Sequence, residues 1–131
     1  TLKESDKRRL LVIEMSVLRR IRGVSLRDRK RNDDIRYELG VSNDVISVIQ
    51  QRRLSYFGHV VRMQACRYPN ILLYGRVDGT RSRGRPHKRW LDNIRDDCAD
   101  LGMSLYEADR LARDRTTWRT VTGRLLRATA T

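Results

Sequence analysis

Residues 75–86, GRVDGTRSRGRP, set the strongest limit on how this chain can fold. Val77 is the only aliphatic side chain in the segment, so it has nothing to bury. Its Gly, Pro and Arg content predicts a flexible linker rather than a helix or strand. The chain is therefore expected to form two helical lobes, an N-terminal lobe over residues 1–74 and a C-terminal lobe over residues 87–131, joined by the linker. A length of 131 residues suits that division or one small domain.

Outside the linker the apolar residues recur at helical spacing, and nothing alternates as a strand would. Residues 5–22 place Leu11, Met15 and Leu18 on one stripe, ended by Gly23. Ser25 and Asp28 form an S-x-x-D capping box that opens a second helical stretch. Ile35, Leu39 and Gly40 read as the end of a short helix with a C′ glycine. Ser42 or Asn43 would cap the longest helix, which runs to about Gln64 with Val45, Ile49, Tyr56, Val60 and Met63 inward. Gly58 inside it costs about 1 kcal/mol against Ala and implies a close contact or a kink. Pro69 breaks the pattern before a short apolar turn or helix, 70–74. Pro86 suits the first position of a helix whose apolar face is Trp90, Leu91, Ile94, Cys98 and Leu101, stopped by Gly102. Ser104 and Glu107 form a second capping box, with Leu105, Ala108, Leu111 and Ala112 behind it. Trp118, Val121, Leu125 and Leu126 continue or follow that helix. The expected class is all-α, a small bundle of about five to six helices in two lobes.

Charge narrows the function. The formal net charge is +13, carried by 25 Arg and only four Lys. Such an excess repels itself unless a polyanion neutralises it. Guanidinium forks pair bidentately with phosphate and with guanine edges. The charge is uneven: residues 1–31 hold eleven basic and four acidic residues, and 76–89 hold six basic and one acidic. Residues 92–114 reverse the sign, with seven acids against three Arg. No run approaches the roughly 20 apolar residues of a membrane span, and no basic amphipathic face suits a lipid surface. Cys66 and Cys98 are too few for a zinc site, and His59 and His87 lack finger spacing. Two buried thiols in a reducing, intracellular compartment (nucleus or cytoplasm) are expected instead. No metal or cofactor is expected.

The short motifs each admit a plainer reading. Arg83-Gly84-Arg85-Pro86 is the core of an AT-hook, in which two Arg flank a Gly small enough to approach a narrow minor groove. The same four residues also read as a basic run that simply precedes a helix and binds phosphate. Residues 35–46, IRYELGVSNDVI, resemble the turn of helix-turn-helix proteins. Asp44 at the start of the second helix would repel phosphate there, which favours an αα-corner. His59 has no nucleophile or carboxylate at readable spacing. Asp33-Asp34 and Asp96-Asp97 read as helix caps rather than metal carboxylates. Trp90 and Trp118 read as core anchors, with base stacking as the lesser alternative.

Taken together and in order, these segments resemble the C-terminal region of non-LTR (LINE-type, RTE-like) retrotransposon endonuclease–reverse transcriptases. The resemblance is carried by Arg31-Asn32, Ile35-Arg36 and Leu39-Gly40, then by Arg52 to Val60 with Arg62-Met63. It continues through Gly79 to Trp90, Leu91-Asp92, Ile94, Asp114-Arg115 and Trp118-Arg119. It covers residues 18–119, and it implies a position downstream of the polymerase domain, with the N-terminal lobe extending the thumb. Polymerase and endonuclease motifs are absent, so the segment is expected to be no enzyme by itself. The two cysteines depart from the zinc knuckle that some such proteins add. The sequence begins at Thr1 rather than Met, which fits a piece of a longer chain. The implied role is an accessory grip on template RNA or target DNA during target-primed reverse transcription. The expected contacts are Arg81, Arg83, Gly84, Arg85, Lys88 and Arg89 in the linker region, with Arg19, Arg20, Arg22, Arg29 and Arg31 as a second phosphate-tracking face. The expected partners are RNA or DNA and the remainder of the polyprotein. The competing readings are a protein-interaction module and a helix-turn-helix or AT-hook regulator.

Overall fold

The structure, a computed structural model, describes residues 2–75, 84 and 88–123. Among these residues there are seven α-helices and no strand: α1 (Glu4–Arg22), α2 (Asn32–Glu38), α3 (Val45–Val61), α4 (Tyr68–Tyr74), α5 (Trp90–Asp100), α6 (Leu105–Ala112) and α7 (Arg115–Gly123). A single 3-10 turn, Leu26–Asp28, precedes α2. The all-α class is as expected. The count exceeds five to six partly because the pattern after Ser104 breaks at Asp114. That carboxylate accepts the Thr116 and Thr117 amides at 3.0 and 3.3 Å and so starts α7 as a separate helix. No described helix is long and apolar enough to cross a membrane.

The packing divides inside α3, between Gln51 and Arg52. In the N-terminal unit α1 lies against α2, burying Met15, Leu18 and Ile35, with Val24, Leu39 and Val41 around them. Two helix ends follow from left-handed glycines. Gly23 (φ 73°) lets the Val24 amide reach the Arg19 carbonyl at 3.0 Å, and Gly40 (φ 66°) lets the Val41 amide reach the Arg36 carbonyl at 2.8 Å. The Ser25–Asp28 cap forms, with the Ser25 amide donating to Asp28 Oδ2 at 2.6 Å. It opens one turn rather than a helix, because residues 29–31 carry no apolar side chain to bury. Asp44, rather than Ser42 or Asn43, caps α3 by accepting the Ser47 amide at 2.7 Å.

The C-terminal unit, residues 52–122, buries Leu54, Phe57, Val60, Val61, Ile94, Cys98, Ala108, Ala112, Trp118 and Val121. Here residues 52–74 and 88–122 pack on each other, although the expected linker would assign them to separate lobes. Gly58 explains itself at this point. A Cβ added there would sit 2.3 Å from Cδ1 and Nε1 of the Trp118 ring. The same indole donates to the Leu54 carbonyl at 2.8 Å, so its N–H is satisfied inside the core. Arg53 clamps Asp97 with two bonds of 2.5 Å, with side chains only 21% and 3% exposed. Buried Asn70 donates to the Val60 and Met63 carbonyls at 3.0 and 3.3 Å, closing the end of α3.

Three further details differ from expectation. Tyr56 is exposed, because the buried face of α3 here runs through Leu54, Phe57, Gly58 and Val61. α5 begins at Trp90, four residues beyond Pro86, with the Asp92 carboxylate accepting the Arg89 amide at 2.8 Å. Only Cys98 is buried, and burial pushes its thiol up to about 11; Cys66 is exposed.

Replacing Gly58 by Ala should destabilise the fold by about 1–3 kcal/mol in urea melts, since the methyl group overpacks against the indole. Replacing Arg53 by Met should cost about 3–5 kcal/mol by stranding the Asp97 charge. The pair Arg53→Met, Asp97→Leu should recover most of that loss.

Candidate nucleic-acid interface

The expected N-terminal contacts divide into two groups. Arg19 donates to Asn32 Oδ1 at 2.5 Å, and Arg22 is ion-paired with Glu38. Lys30 reaches the same carboxylate at 3.1 Å, and these two cations hold Glu38 below its ordinary range. Arg19 and Arg22 thus join α1 to α2 as well as presenting charge. Arg20, Arg29 and Arg31 are exposed and carry no ion pair among the described residues. Arg20 sits on the rim of a groove of about 840 Å³ with an apolar floor that includes Leu11, Met15 and Val24.

Arg29 is the one described non-glycine residue with positive φ, at 50°. A left-handed backbone disfavours any side chain with a Cβ by about 1–2 kcal/mol, and Gly or Asn is the usual occupant. An exposed guanidinium at such a position adds nothing visible to the fold. Nothing in the residue pattern around Arg29 signals this conformation, which appears only once the 3-10 turn ends there.

The linker-region contacts are only partly described. Arg81, Arg83 and Arg85 lie outside the described residues, and with them most of the AT-hook sequence. Gly84 is exposed at φ 127°, a conformation open to glycine. Lys88 is exposed but paired with Asp96, whose carboxyl it holds below the ordinary range. Arg89 is exposed at the start of α5 and lines a groove of about 450 Å³ with Tyr56, Tyr68, Leu72 and Trp90. The two aromatics at positions 56 and 68 were not among the expected contacts. Tyr56 has the spacing of a core residue, and only the packing of α3 shows it exposed.

The acids of residues 92–114 are engaged within their own unit. Asp92 and Glu107 accept the amides at the starts of α5 and α6, and Asp114 does the same for α7. Asp97 holds Arg53, Asp96 holds Lys88, and Asp109 holds Arg113 and the Tyr74 hydroxyl. Hydrogen bonds from Thr117 and Thr116 depress the Asp114 carboxyl to about 2. These carboxylates act as caps and clamps. His59 is exposed, its ring 6.3 Å from that of Tyr56.

Substituting Gly for Arg29 should raise stability by up to about 1 kcal/mol in urea melts, by removing the left-handed strain. A loss of stability would show that the arginine supports the fold.

No protein-family profile matches the chain, and no solved structure matches it. It is similar to a Caenorhabditis elegans protein described as uncharacterised and transposon-derived, 26% identical over 125 residues. The match takes in 90% of this chain and 45% of that protein, so the chain spans less than half of its relative's length. The similarity points to a transposon origin.

Proposed function

We propose that this chain is a nucleic-acid-binding accessory segment of a non-LTR retrotransposon reverse transcriptase, gripping template RNA or target DNA through Arg–phosphate contacts. The observation that carries the reading is the state of the charges. Asp92, Asp96, Asp97, Glu107, Asp109 and Asp114 are engaged as caps and clamps, whereas Arg20, Arg29 and Arg31 stand exposed with no ion pair among the described residues, in a chain of net charge +13. Exposed, unneutralised arginines of that kind suit a phosphate backbone. The similarity to a transposon-derived protein supports the retroelement context. The motifs shared with non-LTR polyproteins support the more specific assignment. Arg83, Arg85 and Arg89 would add contacts from the basic run. The segment would contribute grip and position, with the chemistry of reverse transcription residing elsewhere in the polyprotein.

A protein-interaction role has its own supporting observation. Ile13, Val17 and Ile21 stand exposed at four-residue spacing along α1, an apolar stripe suited to contact with other parts of a longer protein. The two roles are compatible, since a grip on nucleic acid must itself be held.

Filter binding of duplex DNA and RNA to the 131-residue chain separates them. With about six phosphates neutralised, affinity should fall about 10³-fold between 50 and 200 mM salt. A flat salt response, or no binding at 50 mM, would refute the electrostatic grip and leave the interaction role.

A further inference from the structure

The groove between α3, α4 and the start of α5 has a character that phosphate contacts do not use. Its lining includes Tyr56, Tyr68, Leu72 and Trp90, and Arg89 is the only charged residue among the described residues that line it. Tyr68 is 81% exposed and Trp90 37% exposed, although both are large apolar surfaces that water disfavours. Trp90 meets Tyr56 edge-to-face, with centroids 5.8 Å apart and planes at 70°, and also lies 6.3 Å from the Phe57 ring, while part of its surface stays exposed. Gly75 and Arg89, which bracket the basic run 76–88 in sequence, both border the groove.

We propose that this groove binds unpaired bases of a single-stranded nucleic acid, the bases stacking on Tyr68 and Trp90 while Arg89 meets the adjoining phosphate. The inference rests on the nucleic-acid reading above and deepens it by assigning a strand type and a site. The choice of occupant follows from charge and shape. Among the described residues no acid lines the groove and its one ion is a cation, and residues 76–89, which adjoin it in sequence, hold six basic residues against one acid. A polyanion whose backbone also carries flat π-faces fits both features, and stacking on such rings is tolerant of base identity. A duplex offers the phosphates but keeps its bases stacked internally. An apolar peptide would fill the groove but leave the cationic surroundings unmatched.

The test uses the full 131-residue chain with a 12-mer of deoxythymidine, a hairpin duplex and heparin as probes. The 12-mer should quench the exposed Trp90, whereas heparin, which has no bases, should bind without quenching. Tyr68→Ala should weaken 12-mer binding by between about 5-fold and about 100-fold and leave duplex binding unchanged. Tyr68→Phe, which keeps the ring, should bind the 12-mer like the unsubstituted chain. Because Tyr68 is exposed, a folding defect is not expected, and a circular-dichroism melt checks it. Equal quenching by heparin, or undiminished 12-mer binding by Tyr68→Ala, would overturn the groove while leaving salt-dependent duplex binding, and hence the grip, in place. Failure to bind any of the three probes would remove both readings.

Discussion

The C-terminal unit depends on how closely α3 approaches Trp118. Gly58 presents a bare backbone to the indole, and the indole N–H is met by the Leu54 carbonyl one turn earlier on the same helix. Any side chain at position 58 would hold the helix off the ring. The packing of Phe57 against Trp118, at 5.9 Å between centroids, would be lost with it. Arg53, one position before Leu54, then reaches Asp97 on α5. A hydrophobic contact, a buried hydrogen bond and a buried ion pair thus join pieces of chain on either side of residues 75–86. This is why the 52–74 segment belongs with α5–α7 in packing, and why the run Arg52 to Val60 holds such varied residues in so short a space.

The same arrangement bears on the charge. A chain of +13 must hold itself together against its own repulsion. It does so by placing its carboxylates where they bond most strongly, at helix N-termini and in forks with Arg or Lys. Among the described residues, the arginines left without an ion pair include Arg20, Arg29 and Arg31 on one unit and Arg89, beside an aromatic groove, on the other. The opposite sign of residues 92–114 is less a separate electrostatic surface than the internal wiring of that unit.

Several elements were legible from local chemistry. The stops at Gly23, Gly40 and Gly102 and the Ser104–Glu107 box lie within a few residues of their partners, so their signals survive without any tertiary information. The Ser25–Asp28 box marks a cap in the sequence but not its single turn, because helix length depends on an apolar face to bury and residues 29–31 supply none. Periodicity places Tyr56 on a stripe without saying which stripe meets a partner. Pro86 does not fix the start of α5, because proline tolerates a first helical position without requiring one. Of the candidate contacts, the charge is legible from the residues alone. The pairing of Arg22 and Lys88 with carboxylates 16 and 8 residues away is not.

The sequence by itself determined that this protein is helical, strongly basic and rich in arginine, and that its helices end where glycines and capping boxes place them. These properties are local, set by single residues or by neighbours within a turn or two. Only the tertiary structure decided which arginines stand free, which acids are engaged, and which aromatics face water. Those outcomes depend on contacts such as Gly58 with Trp118 and Arg53 with Asp97, separated by 60 and 44 residues. Over such distances the residue pattern records what each side chain can do, and the packing decides which partner it meets.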